Sequence, residues 1–299
     1  MALHVHTEWG RLDRVVVGHG QDMGVRPTVE TAYDPTSRSH LAAGTYPGDA
    51  EVATELDGLA QTLSSRGVDV LRPVDVPELE QVFARDVGLV IEDVFFRSRM
   101  IEDRQAEWAG IAPLLGDITL EEFPEEVRVE GGDVLLLEDA IAIGVTRDPD
   151  LVGKQTARTN AEAAEFLRGR FPHREVIEVE LYKDDHHPLR SALHLDCAYM
   201  PLGEGDAIIA PESFVQHEQL NRLKDRHSSI IKISVEEAAL LQSNLLHLDA
   251  RTLLIDPRFQ RVGSALETLG YELVPCPMES VGRMGGLFRC TTLPLNRHS

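Results

Sequence analysis

Residues 130–144 read EGGDVLLLEDAIAIG, and the fold prediction depends on this pattern. Four apolar residues precede the acidic pair Glu138-Asp139, and a second apolar run follows it. Two short apolar runs joined by a tight turn are typical of a β-hairpin. The segments downstream predict a helix over Asn160–Arg168 and a further strand over Glu175–Val179. Together these elements make one ββαβ unit.

The same order of elements recurs on both sides of this unit. The other predicted sets of hairpin, helix and strand are Phe83–Ile91 with Val94–Phe96, Glu102–Leu115 and Ile118–Glu121; His194–Leu202 with Ala207–Ala210, Val215–Arg226 and Ser229–Ile233; and Leu245–Asp249 with Thr252–Ile255, Val262–Leu269 and Tyr271–Val274. The N-terminal unit has a strand at Val15–Gly18, a turn-rich loop over Tyr33–Asp49, a helix over Val52–Ser65 and a strand over Val68–Leu71. We expect Cys290 to lie on a strand that pairs with this unit and supplies its missing hairpin strand.

Five units at a spacing of roughly 45 to 60 residues indicate a radially repeated architecture. We therefore predict an α/β fold, a five-bladed pseudo-symmetric α/β propeller of ββαβ units, formed by residues 1–299 as a single catalytic domain. Return of the C-terminal strand to the N-terminal unit closes the ring and leaves no free sheet edge.

Polar residues recur at or near the start of the first strand in successive units. They are Asp86, Glu130, Asp133, His194, Asp196 and Cys290. Equivalent positions of a radial array converge on its axis, so these side chains are predicted to line one central cavity. Cys290 follows Gly285-Gly286, where the backbone can approach a ligand closely. The simpler alternatives are that Cys290 is a small buried apolar residue and His194 a hydrogen-bonded core histidine.

The residue types in this set suit a guanidinium ligand. Carboxylates crowded around a thiol repel one another and raise the pKa of the cysteine unless a cation lies among them. A guanidinium is planar, always charged and forms paired hydrogen bonds to carboxylates. Held between Asp86 and Glu130, it would expose its central carbon to the Cys290 thiolate. His194 would then protonate the departing amine and deprotonate the next acceptor.

The composition narrows the class of partner. The chain has 29 Lys and Arg residues against 50 Asp and Glu residues, a net charge of −21, which argues against nucleic acid and anionic membranes. A small cationic guanidino molecule is favoured, although a solvated surface also accounts for much of the acidity. Three cysteines without disulfide or metal-site spacing, and an N-terminus without a signal-peptide pattern, predict a cytoplasmic location. We expect no metal and no cofactor, and the sequence leaves a homodimer open.

Four short motifs resemble those of the guanidino-group-modifying, or pentein, superfamily. They are Arg85-Asp86, Glu130-Gly131-Gly132-Asp133, His194-Leu195-Asp196 and the late Cys290. This superfamily includes arginine deiminases, dimethylarginine dimethylaminohydrolases and the arginine-using amidinotransferases. The segment Glu8–Gly18 is similar to the amidinotransferases in particular. The resemblance covers almost the whole chain and preserves the order of the motifs.

The resemblance implies a role for each matching residue. Cys290 would be the nucleophile that forms a covalent amidino-thioether, His194 the general acid and base, and Glu130 the carboxylate that holds the guanidinium and orients His194. The other implied substrate-binding residues are Asp86, Asp196, Asp133 and Arg85. Candidates for the substrate carboxylate are Arg38, Arg190 and Arg289.

The favoured function is amidinotransferase activity, in which an amidino group moves from arginine or a similar donor to an amine. Hydrolysis, with water as the acceptor, is the alternative within the same chemistry. A non-catalytic, propeller-like binding protein is the alternative from another class.

Overall fold

The computed structural model describes residues 2–118 and 120–298, and the elements below belong to those ranges. The strands are β1 (Arg11–Val17), β2 (Asp69–Leu71), β3 (Gly88–Ile91), β4 (Val94–Arg97), β5 (Leu120–Glu122), β6 (Val134–Leu136), β7 (Ala140–Val145), β8 (Glu175–Glu180), β9 (Tyr199–Pro201), β10 (Asp206–Ile209), β11 (Ser229–Lys232), β12 (Leu246–His247), β13 (Thr252–Ile255), β14 (Glu272–Pro275) and β15 (Thr292–His298). The α-helices are α1 (Pro35–Ala42), α2 (Asp49–Ser65), α3 (Ala84–Val87), α4 (Trp108–Leu115), α5 (Ala161–Arg170), α6 (His217–Lys224), α7 (Val235–Ala239), α8 (Gln260–Thr268) and α9 (Glu279–Gly282). Part of one predicted strand, Thr119, lies outside the described residues.

These strands form five three-stranded sheets with one common topology. The orders are β15-β1-β2, β3-β4-β5, β6-β7-β8, β9-β10-β11 and β12-β13-β14. In each sheet the middle strand is antiparallel to the first and parallel to the last. A parallel return requires a long crossover connection, and helices occupy those connections. The prediction of five ββαβ blades is confirmed.

The ring closes between the two ends of the chain. β15 pairs with β1 in antiparallel orientation, and Val16 lies opposite Leu293. The C-terminal segment therefore supplies the missing strand of the N-terminal blade, as predicted. Cys290 itself precedes this strand by two residues.

Apolar periodicity explains how the helices attach to the blades. In α2, Val52, Leu56, Leu59 and Leu63 recur at helical spacing and are fully buried against the first blade. Every residue of β7 is buried, as expected for a strand covered on both faces. Within the described ranges, no helix combines the length and apolarity needed to cross a membrane.

Several local predictions were wrong. Cys290 and the segments 130–133 and 194–198 were assigned to strands, but they precede β15, β6 and β9. The predicted loop over Tyr33–Asp49 contains α1, because Asp34 caps the helix by accepting a hydrogen bond from the Ser37 N–H at 2.8 Å and Pro35 occupies its first turn. Asp86 was assigned to a strand but lies on α3, and this turn of helix aims its carboxylate at the Gly132 N–H.

We expect Leu293→Ala to lower the free energy of unfolding by about 2–5 kcal/mol, because it leaves a cavity in the closing strand. Leu240→Ala is the matched control, since Leu240 is 58% exposed and its loss should change stability by less than about 0.5 kcal/mol. Urea denaturation of both variants measures the difference. Equal losses of stability in the two variants would contradict the view that packing of the closing strand stabilises the fold.

Candidate active site

One cavity of about 170 Å³ receives side chains from separate blades. Its polar and charged lining includes Asp86, His194, Cys290, Arg104, Arg158 and Glu80. Asp86, His194 and Cys290 span more than two thirds of the chain, yet they face the same space. The radial convergence inferred from the sequence therefore brings these three predicted residues together.

Short turns at the inner ends of the blades position the side chains. Glu130 precedes a 3-10 turn at Gly131–Asp133, and His194 precedes the equivalent turn at Leu195–Cys197. A Cβ atom on Gly132 would lie 2.6 Å from His194 Nδ1, so only glycine lets the two turns approach this closely.

His194 is held by two carboxylates. Its Nε2 lies 2.8 Å from Glu130 Oε2, and its Nδ1 lies 3.7 Å from Asp86 Oδ1. Burial favours the neutral ring, but Asp86 and the hydrogen bond to Glu130 outweigh it and raise the pKa of His194 to about 9. At neutral pH the ring is an imidazolium, the form that can protonate a leaving amine.

Cys290 lies beside a carboxylate in the cavity wall. Its Sγ is 3.8 Å and 4.0 Å from the two oxygens of Asp196. Burial, and then the negative charge of Asp196, raises the pKa of the thiol well above its ordinary value. A cation bound beside Asp196 would reverse the second effect and favour the thiolate.

The carboxylates already have cationic partners within the protein, contrary to the expectation that they depend on an arriving cation. Asp86 bonds Arg104 at 2.7 Å, and Asp196 bonds Arg289 at 2.9 Å. Glu130 accepts from Arg158 at 2.9 Å as well as from His194. Glu130 therefore already has two cationic partners, and a substrate guanidinium between Asp86 and Glu130 remains a prediction.

Glu130 and three predicted substrate-binding residues, Asp196, Arg85 and Asp133, are not among the described residues that line the cavity. Glu130 and Asp196 contact His194 and Cys290, which do line it. Arg85 donates from Nε to the Arg289 carbonyl at 3.3 Å, and burial lowers its pKa to about 9. Asp133 accepts the Leu195 N–H at 2.9 Å and so fixes the turn that follows His194. Both act on the scaffold around the cavity in this structure.

The candidates for a substrate carboxylate also lie elsewhere. Arg289 is fully buried between Glu8 and Asp196. Arg38 bonds Gln155 and His186, while Arg190 lines a different pocket. The arginines that line the cavity, within the described ranges, are Arg104 and Arg158.

Sequence reasoning missed Arg104, Arg158, Glu80 and Asn244. Asn244 Nδ2 lies 3.1 Å from Cys290 Sγ. Arg104, Arg158 and Glu80 stand away from the repeating position that identified Asp86 and His194, so the repeat gave no signal for them. Asn244 stands two residues before β12, as Asp86 stands two residues before β3, so the repeat could have identified it.

The ligand-type atoms of Asp86, Glu130 and His194 lie within 4.8 Å of one another, a spacing that a metal ion could use. However, the guanidinium groups of Arg104 and Arg158 lie against the same carboxylates. Their positive charge disfavours a divalent cation there. The donor set is better matched to guanidinium groups than to a metal.

Comparisons with known proteins place this geometry in context. A family model described as N,N dimethylarginine dimethylhydrolase, eukaryotic, matches residues 29–297. The uncharacterized protein YkgA of Bacillus subtilis (strain 168) is 26% identical over 294 residues, covering 97% of this chain and 94% of that protein. The L-arginine:L-lysine amidinotransferase of Pseudomonas savastanoi pv. phaseolicola is 24% identical over 344 residues, covering 98% and 93% respectively.

A solved structure gives the same fold. The structure of SxtG, an amidinotransferase of the saxitoxin biosynthetic pathway from Microseira wollei, superposes with a TM-score of 0.75 at 20% identity. The superposition covers 99% of this chain and 98% of that one. It supports a propeller-like arrangement of the five sheets.

We expect Glu130→Gln to lower the titration midpoint of His194 from about 9 by roughly 1 to 3 pH units, because the imidazolium loses its anionic acceptor. Histidine ring resonances followed by NMR against pH measure the midpoint. His247, whose pKa burial lowers to about 4, serves as the internal control in the same spectra. An unchanged midpoint for His194 would show that Glu130 does not set its charge.

Proposed function

Because the chain belongs to the N,N dimethylarginine dimethylhydrolase family, and with it to the pentein superfamily of guanidino-group-modifying enzymes, we propose that it breaks a guanidino carbon–nitrogen bond through Cys290 and transfers the amidino group of arginine or a similar donor to an amine. The observation that carries this proposal is the meeting of Cys290, His194 and Asp86 in one cavity, with Glu130 hydrogen-bonded to His194. A purely binding protein does not require this combination of thiol, imidazolium and acid.

Asp86 and Asp196 are the proposed ligands of the substrate guanidinium. Asp86 Oδ1 accepts one backbone N–H at 3.2 Å, while Oδ2 carries the bond to Arg104. Asp196 uses Oδ2 for Arg289, which leaves Oδ1 facing the thiols. Asp86 lines the same cavity as Cys290 and Asp196 lies against Cys290 Sγ, and a carboxylate oxygen that accepts one hydrogen bond can accept another from a planar cation.

The proposed reaction starts from the Cys290 thiolate and the His194 imidazolium. The thiolate bonds to the guanidino carbon, the bond from that carbon to the departing amine breaks, and His194 gives its proton to the amine nitrogen. The amidino group then remains on sulfur. An acceptor amine attacks the same carbon and loses a proton to His194, and the carbon–sulfur bond breaks to return the thiolate.

Hydrolysis is the second candidate, because the matching family model is named for a hydrolase. In that reaction ammonia, in place of ornithine, leaves from the guanidino carbon of arginine, and water then attacks in place of the acceptor amine to give citrulline. The same residues serve both outcomes. Amidino transfer takes precedence here because the Pseudomonas relative and SxtG, each matched over nearly its whole length, are named as amidinotransferases. Product identity distinguishes the two.

Glu80 is the proposed contact for an ammonium group of the substrate. It lines the cavity and, within the described ranges, has no arginine or lysine partner. Burial and the neighbouring Glu107 raise its pKa to about 8. When an amino acid binds with its guanidinium at Cys290, its ammonium group would lie near Glu80. That positive charge would favour the ionised form of the Glu80 carboxylate.

We expect Cys290→Ser to reduce turnover by about 10³-fold or more while arginine binding changes little, because only the nucleophile is lost. Mass spectrometry of arginine incubated with glycine or lysine tests both turnover and product. Ornithine with a new guanidino compound indicates transfer, whereas citrulline with ammonia indicates hydrolysis. Cys276→Ser, a buried cysteine outside the cavity, is the control. Substantial turnover by Cys290→Ser would rule out the thiol mechanism.

We expect Glu80→Gln to raise the KM for arginine by about tenfold, since hydrogen bonds to charged groups contribute about 1.5–3 kcal/mol. A carboxyl with a pKa near 8 is protonated below that pH and binds a cation only above it, so the wild-type KM should fall as pH rises through 8. The variant should lose that dependence. N-acetylarginine, which lacks the ammonium group, is the control substrate and should not distinguish the two proteins. A parallel loss with N-acetylarginine would contradict the assignment.

A further inference from the structure

The segment between α7 and β12 places an amide side chain against the nucleophile. Asn244 is fully buried, and its Nδ2 lies 3.1 Å from Cys290 Sγ. Its neighbour Ser243 donates a hydrogen bond from Oγ to the Asp196 carbonyl at 2.9 Å. This one turn therefore touches both the thiol and the backbone of the acid beside it.

The orientation of the Asn244 amide is fixed by its other contacts. Its Oδ1 accepts the Cys290 N–H at 3.1 Å and the Leu287 N–H at 3.2 Å. Backbone N–H groups can only donate, so the oxygen must face them. The NH2 group must then face the sulfur, which makes Asn244 a donor to Cys290.

The backbone of the turn is unusual. Leu241 has a φ of 64°, in the left-handed region that bulky side chains rarely adopt. Its carbonyl accepts the Asn244 N–H at 2.9 Å, so the strained residue is part of the turn that presents the amide. Local strain of this kind persists where surrounding structure requires one conformation.

The other groups around the sulfur mostly oppose its ionisation. Burial, Asp196, Cys197 and Asp86 each raise the pKa of the Cys290 thiol. The titratable and charged side chains that share its cavity are Tyr33, Asp34, Tyr46, Glu80, Asp86, Arg104, Arg158 and His194. Within the described ranges, the side chain that donates a hydrogen bond to the sulfur is that of Asn244.

We propose that Asn244 is a catalytic residue of this site, which stabilises the Cys290 thiolate by donating a hydrogen bond to the sulfur and holds the nucleophile through its own N–H. The catalytic consequence rests on the proposed function, whereas the effect on the thiol does not. A sulfur that must ionise beside Asp196 gains a neutral donor that does not compete with the substrate for the carboxylates. The same bond stabilises the thiolate again when the carbon–sulfur bond breaks.

The test is the pH dependence of Cys290 alkylation by iodoacetamide, followed by mass spectrometry of the peptide that contains Cys290. Asn244→Asp keeps the shape and the acceptor but replaces the donor with a negative oxygen, so the midpoint of alkylation should rise and the rate at about pH 8 should fall at least tenfold. Asn244→Ala removes the donor without adding charge and should raise the midpoint by a smaller amount.

Asn160→Asp is the matched control. Asn160 also accepts a backbone N–H, from Arg128 at 3.0 Å, and donates to a carbonyl, that of Glu126 at 2.8 Å, but it does not touch the site. Its alkylation profile should equal that of the wild type. Thermal melting establishes which variants are folded, and Asn244→Ala decides the question if Asn244→Asp does not fold.

An unchanged midpoint in a folded Asn244→Ala protein would overturn the proposal, whether or not Asn244→Asp shifts, because a shift in the latter alone would reflect its added charge. Turnover plays no part in this measurement. A chain without guanidino chemistry would fail the product analysis above and could still show the shift, so the two failures are distinguishable.

Discussion

The buried guanidinium of Arg289 ties the two ends of the chain to the reactive centre. Its Nη2 and Nε bond the Glu8 carboxylate at 3.0 Å and 3.1 Å, and its Nη1 bonds Asp196 at 2.9 Å. Burying a charge is costly unless it is paired and hydrogen-bonded, so this arginine requires both acids in place. Although burial opposes it, Arg289 helps to lower the pKa of Glu8 to about 2. Closure of the ring and assembly of the site therefore depend on the same contact.

The same principle explains how the acids of the site are held in place. Arg104 and Arg158 neutralise Asp86 and Glu130, so neither carboxylate faces the full repulsion of its neighbours. Burial favours protonation of Glu130, but Arg158 and His194 outweigh it and hold its pKa below the ordinary value. The carboxylates that a substrate meets are therefore already fixed in position, which reduces the reorganisation needed for reaction.

The repeat made the blades and the axial residues predictable, because the hairpins have a clear apolar pattern and each unit begins with a polar residue. The partners of those residues were not predictable. Arg104 comes from a 3-10 turn before α4 and Arg158 from the segment before α5, and neither position repeats between blades. Asn244 is the exception, because it stands two residues before β12, the position that the repeat marks in other blades. Helix α1 could have been predicted, because Asp34-Pro35 is a helix-start signal. The turn-forming residues around it favoured the prediction of a loop instead.

The difference between residues near the axis of the ring and residues in the connecting segments also bears on whether water or an amine is the acceptor. The axial residues supply the same thiolate and imidazolium whichever carbon–nitrogen bond of the donor breaks, so they do not identify the leaving amine or the acceptor. That choice depends on what the cavity rim admits. The rim includes Met23, Val25 and Pro27 from the segment between β1 and α1, and Val25 is 92% exposed. This segment lies outside the repeat, so its sequence could change without disturbing Arg289 or the blades. It is therefore the segment in which we expect amidinotransferases and hydrolases with this fold to differ.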